Sequence, residues 1–199
     1  MNFSAKVSQA LIDGIDARKL TLENQINNLV NIGQICGEAI EKGSKILLCG
    51  NGGSAADAQH LAAELLIRLR PNLTRQTLPA ISLAMDTSTL TACGNDLGFE
   101  VIFERMVEAL GKPGDVLIGI TTSGKSANVN KAFIKAKEIG ITTVGFLGKN
   151  GGPAQEFCEY SFNAQTEVTA RIQELHITAG HIVMELVEEY LINKGIIKK

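Results

Sequence analysis

The chain has 199 residues, enough for one domain with a full core. Its 19 Lys and Arg nearly balance 21 Asp and Glu, for a formal net charge of −2, and aromatic residues are few. That balance argues against an electrostatic hold on nucleic acid, and no apolar run approaches the length needed to span a membrane.

Residues 4–42 are predicted to be helical. Val7, Leu11, Ile15, Leu22, Ile26, Leu29, Ile32 and Ile40 recur at roughly helical spacing. Thr21 and Asn24 mark a possible break, so the spacing fits one long helix or two. A helical arm placed before the first strand must pack back on the domain or against another subunit. No apolar leader opens the chain, and Cys36, Cys49, Cys93 and Cys158 are scattered without a C-x-x-C pair. Both point to a cytoplasmic protein with reduced, mostly buried thiols.

The next stretch organises the rest. Residues 45–49 read as a buried parallel strand. Gly50-Asn51-Gly52-Gly53-Ser54 is a glycine loop, and strong helix formers begin at Ala55. Strand, glycine loop and helix start together make an anion site, where backbone N–H groups and the helix dipole converge. The loop lacks the Gly-Lys-Ser/Thr of a nucleotide-binding P-loop. Gly50, Gly52 and Ala55 match the dinucleotide fingerprint loosely, but the acid expected about 20 residues on is missing near Arg70, Pro71 and Asn72. A phosphate loop of another kind remains. His60 and Glu64, at i and i+4, share a helix face behind it and suit a metal pair, an acid–base pair or a solvated face.

Onward, residues 71–77 read as a polar loop and 79–85 as a second strand. Residues 86–91 form a hydroxyl-rich turn or short helix, interrupted at Asn95-Asp96. A helix over 99–110, a turn at 112–115 and a strand over 116–120 follow. Thr121, Thr122, Ser123 and Ser126 then surround Gly124, more hydroxyls than one helix cap needs, and suit a phosphate monoester. Lys125 adds charge there or is simply solvated. A helix over 126–139, a strand over 141–147, a turn at 149–153, a short helix, a strand over 160–164 and a last helix over 169–192 complete the chain. The basic end, 194–199, reads as solvated.

Alternating strands and helices imply right-handed crossovers. The expected fold is an α/β three-layer sandwich with a five-stranded parallel sheet, order 2-1-3-4-5, formed by a single domain. Its switch point lies between the first and third strands, where the two unusual loops emerge. On the last helix, His176 and His181 face roughly 140° apart and cannot share a site. Gln173 and His181 are about 80° apart in azimuth but about 12 Å apart along a straight helix. For both to serve one metal, Gln173 must fold inward from a frayed helix start, or different subunits must supply the two.

The segments CGNGGSAADAQH, GND at residues 94–96, TSGKSANV at 122–129 and ARIQELHI with the later His181 occur in one order over nearly the whole chain. In these the sequence resembles the sugar isomerase (SIS) domain family, in its phosphoheptose isomerase branch. The resemblance implies a flavodoxin-like SIS fold with residues 1–42 as an oligomerisation arm, a homotetramer, and one Zn2+ per subunit. It implies conversion of sedoheptulose 7-phosphate to D-glycero-D-manno-heptose 7-phosphate, the first step towards ADP- or GDP-heptose for lipopolysaccharide core or surface polysaccharide. It assigns Glu64 and His181 as the acid–base pair, and His60, Glu64, Gln173 and His181 to zinc. Asn51, Gly52, Gly53, Ser54, Glu64, Arg68, Asn95, Asp96 and Gln173 would hold the sugar, and Thr121, Thr122, Ser123 and Ser126 its phosphate. Thr121 stands where serine is usual, Ile67 and Leu69 replace a glycine and an aromatic on either side of Arg68, and Ala170 stands where some members carry an acid. The rival reading is a binding module: a relative that associates with a replication initiator keeps the loops without the catalytic Glu and final His. The presence of Glu64 and His181 favours the enzyme.

Overall fold

In the computed structural model, which describes residues 2–197, five strands form one parallel sheet. They are β1 (Ile46–Gly50), β2 (Ala80–Ser82), β3 (Val116–Thr121), β4 (Thr142–Leu147) and β5 (Tyr160–Asn163). Their order is β2-β1-β3-β4-β5, as expected. Because side chains alternate across a strand, each central strand feeds two cores. Ile46 and Leu48 of β1, with Val116, Ile118 and Ile120 of β3, enter one apolar cluster. Leu47, Cys49 and Leu117 enter the other. Helices α2 (Ile26–Glu41), α3 (Gly53–Leu66) and α7 (Thr169–Asn193) cover the first face. Helices α5 (Ile102–Leu110) and α6 (Ala127–Glu138) cover the second. This burial on both faces explains why the strands read as unbroken apolar runs.

The arm is two helices, α1 (Phe3–Asn24) and α2, broken at Gln25. Gln25 is buried, and its side-chain Oε1 accepts hydrogen bonds from Asn28 Nδ2 and the Asn163 backbone N–H at 2.9 and 3.2 Å. The break is therefore held by the end of β5. α1 buries only Gly14 and Ala17 and leaves Phe3, Val7, Leu11, Ile15 and Leu22 exposed.

Some boundaries differ from the sequence expectation. β2 has three residues rather than seven, and α3 begins at Gly53 rather than Ala55. Helix α4 (Thr87–Asp96) runs through Asn95-Asp96 instead of stopping before them; Asp86 caps its start by accepting from Ser88 N–H at 3.0 Å. The helix expected over 99–110 opens with a 3-10 turn, Phe99–Val101. At the C-terminus Lys194 is exposed, as expected of a solvated end, but Ile197 is buried in the core; Lys198 and Lys199 lie outside the described residues.

Candidate active site

β1 and β3 are neighbours, with Gly50 paired to Ile120, so the loops that follow them leave the sheet side by side. In the first, Gly52 has φ +55, a backbone conformation that disfavours any side chain. It sets the chain for α3, whose start has no side-chain cap; Ser54 and Ala55 N–H turn back to Asn51 O and Gly52 O at 3.0 and 3.1 Å. Asn51 joins the two loops: its amide and that of Asn128, at the start of α6, exchange hydrogen bonds of 2.9 and 2.8 Å.

In the second loop Ser126 occupies the N-cap of α6 but does not cap it. Its hydroxyl instead pairs with Thr121 Oγ1 at 3.0 Å, while Ser123 Oγ accepts from Lys125 N–H at 3.2 Å. Gly124, at φ +65, lies so close to the turn after β4 that a β-carbon there would stand 2.0 Å from the Gly151 carbonyl oxygen. That close contact shapes a cavity of about 280 Å3 lined by Thr122, Ser123, Lys125, Lys149, Asn150 and Thr166.

Next to the loops, α3 and α7 bring three side chains together. His60 Nε2 lies 2.8 Å from His181 Nε2 and 3.3 Å from Glu64 Oε1. The two imidazoles meet edge to face, and one ligand atom from each of His60, Glu64 and His181 lies within 4.8 Å of the others. Glu64 and His181 are half-buried and His60 is exposed. Two nitrogens and a carboxylate oxygen form a donor set that zinc accepts. Asp57, one turn before His60, faces the same group. Burial pushes its carboxyl above the usual range, and His60 and His181 pull it back.

The other expected site residues are spread around this centre. Ser54 is buried in the first turn of α3. The Gln173 amide lies over Gly53, where a β-carbon would stand 3.0 Å from its Nε2. Gln173 is inside regular helix, since α7 begins at Thr169, so its start is not frayed at that point. Arg68 is exposed just past α3 and donates to Pro71 O at 3.3 Å. Asn95 donates to Asp96 Oδ1 at 2.7 Å; both are exposed at the end of α4, and Asp96 lines a different cavity with Thr89, Cys93 and Arg105. His176 is fully buried in the core, with Nε2 3.0 Å from Leu147 O, and is apart from His181 as their azimuths required.

Residues 13–148 match the SIS domain family model. The chain is 51% identical to a phosphoheptose isomerase of Clostridium acetobutylicum over 92% of this chain and 93% of that one. It is 49% identical to one from Aquifex aeolicus, over 96% and 98%. The chain belongs to the SIS domain family, among the phosphoheptose isomerases. Solved structures of phosphoheptose isomerases share its fold. The one from Neisseria gonorrhoeae superposes with TM-score 0.89 at 37% identity, covering 94% of this chain and 100% of that one. The one from Francisella tularensis gives 0.91 at 31%, covering 95% and 100%.

Asp57, Asn128 and Lys149 were not singled out from the sequence. Asp57 had a usable signal, three and seven residues before His60 and Glu64 on one helix face. Asn128 and Lys149 had none, because contacts between distant loops place them.

Proposed function

We propose that the protein interconverts sedoheptulose 7-phosphate and D-glycero-D-manno-heptose 7-phosphate. The observation that carries this reading is the His60–Glu64–His181 cluster beside two phosphate-type loops at the sheet's switch point. Similarity to proteins named phosphoheptose isomerase over nearly the whole chain supports it.

The phosphate would sit among Thr121, Thr122, Ser123 and Ser126, with Asn51, Gly52, Gly53 and Ser54 holding the sugar. Arg68, Asn95, Asp96 and Gln173 would contact its far hydroxyls. Moving a carbonyl from C2 to C1 removes a proton from C1, passes through an enediol and returns a proton to C2. Glu64 is the base that carries this proton. His181, an imidazole that can both give and take a proton, moves the second proton between the two oxygens. His60, Glu64 and His181, with Gln173 from the first turns of α7 as the fourth ligand, would hold one Zn2+ per subunit. When bound, the metal would polarise the sugar oxygens. Since a carboxylate tied to a metal is a poorer base, Glu64 would be its weakest ligand.

The proposal extends to a cytoplasmic homotetramer that feeds activated heptose to lipopolysaccharide core or surface polysaccharide. The exposed apolar residues of α1 support the assembly. So does an apolar groove of about 370 Å3 between the arm and α7, lined by Leu22, Ile26, Val30, Ile182 and Leu186. No helix among the described residues is long and apolar enough to cross a membrane. The test is to incubate the purified protein, with zinc, and sedoheptulose 7-phosphate. Appearance of the aldose phosphate by NMR is expected, and no conversion would reject the reading.

A further inference from the structure

Helices α3 and α7 run side by side in the same direction. Gln173 meets Gly53 near their starts, and His181 meets His60 midway. A β-carbon on Gly180 would stand 2.6 Å from Leu61 Cδ1, so the helices are in close contact there. Glu64, however, lies in the last turn of α3, which ends at Leu66. The carbonyls of a last turn have no partners within the helix, and such a turn frays unless something else binds them.

Here Leu78 N–H donates to Leu65 O at 3.1 Å, and a buried arginine binds both Leu65 O and Glu64 O. The side chains of Arg75 and Glu188 are each 1% exposed. Arg75 Nη2 donates to Glu64 O at 2.7 Å and Nη1 to Leu65 O at 2.8 Å. Its Nε donates to Glu188 Oε1 at 2.7 Å. Glu188 is on α7, seven residues after His181 and therefore on nearly the same helix face. One guanidinium thus ties the turn that carries Glu64 to the helix that carries His181. A fully buried ion pair is a poor source of net stability, because desolvation offsets the attraction. Its planar fork does fix geometry.

We propose that Arg75 and Glu188 are positioning residues, which hold the last turn of α3 in register with α7 so that Glu64 meets His60 and His181. This rests on the isomerase reading for its catalytic consequence, but not for its structural one. The decisive variant is Arg75→Met/Glu188→Leu, since apolar replacement of buried ionic partners is often tolerated; it also removes the Arg70 contact with Glu188, which a separate variant controls for. It should fold and keep KM within about threefold. Its kcat and the zinc affinity of the metal-free protein should each fall about 10–100-fold, the scale for losing a group that orients ligands. Hydrogen exchange in residues 63–67 should speed up while the rest of α3 keeps its protection. Arg70→Met is the control. Arg70 also binds Glu188, through Oε2 at 2.6 Å, but its contacts are to Glu188 and Glu189 on α7 rather than to an α3 carbonyl. It should leave kcat within about twofold.

Wild-type kcat and zinc affinity in a folded double variant would overturn the proposal, as would an equal loss in Arg70→Met. If the double variant does not fold, Arg75→Lys takes its place. Lysine keeps the charge but cannot span two carbonyls and a carboxylate, so a drop of about tenfold is still required and wild-type behaviour overturns the proposal. If the wild-type protein fails to isomerise the heptose phosphate, the functional reading fails alone. Hydrogen exchange in residues 63–67 then decides the clamp: unchanged exchange in the variants overturns it.

Discussion

His176 should make the protein acid-labile in a way that one substitution removes. Its ring is packed against Phe146 and Phe162, with centroids 6.2 and 6.3 Å away. Burial pushes its pKa down from 6.5 to about 4, against a smaller upward pull from the hydrogen bond to Leu147 O. The native ring is therefore neutral, with Nε2–H donating to Leu147 O, and among the described residues Nδ1 has no partner that could hold a second proton. As pH falls below 6.5, the unfolded chain takes up a proton that the native chain refuses, so the unfolded state gains. The stability is fully present above 6.5 and is lost progressively towards pH 4. With about 1.36 kcal/mol for each pH unit of separation, the loss over this interval is roughly 3 kcal/mol. The assay is urea unfolding at fixed protein concentration from pH 7.5 to 4, for wild type and His176→Gln. Glutamine removes the titration while keeping an N–H donor. The wild-type advantage at pH 7 should shrink by about 1.2 kcal/mol per pH unit near pH 5. Parallel curves for the two proteins would refute this account of His176. At pH 7 the variant should keep its kcat, since His176 is part of the core.

Other perturbations test the loops and the arm. Ser123→Ala and Ser126→Ala should each raise KM for the phosphorylated sugar, by roughly 1.5–3 kcal/mol for a hydrogen bond to a charged group; an unchanged KM in the double variant would remove the phosphate assignment. Gly124→Ala forces a β-carbon to 2.0 Å from Gly151 O at φ +65, so it should cost at least about 1–2 kcal/mol of stability and also raise KM. Wild-type stability in that variant would mean that the two turns are not packed as described. Light scattering should show a tetramer, and Leu11→Glu/Ile15→Glu in the exposed face of α1 should dissociate it. A wild-type monomer at micromolar concentration would reject the assembly.

The sheet was legible because each strand is buried on both faces and so reads as an apolar run between turn signals. The strand order was an assumption that alternation alone does not derive, and the structure bears it out. The glycine loop and hydroxyl loop announced themselves chemically, and helical spacing put His60 with Glu64. Spacing could not bring His181 to them from 121 residues away, because packing of α3 against α7 does that. It also left open how Gln173 is placed, which depends on its contact with Gly53. The break at Gln25 was half legible: Thr21 and Asn24 marked it as possible, but the hydrogen bond that holds it comes from Asn163. Arg75 gave no signal, lying in a polar loop where an arginine reads as solvated. Only its contacts with Glu64, Leu65 and Glu188 show that it is buried.

The central claim is that Glu64, held beside His181, takes the proton during isomerisation. The direct measurement is kcat and KM of Glu64→Gln on sedoheptulose 7-phosphate, with His181→Gln alongside. Both should lose about 10²-fold or more in kcat, the scale of general acid–base catalysis, with KM little changed. Turnover at the wild-type rate by folded Glu64→Gln protein would contradict the mechanism.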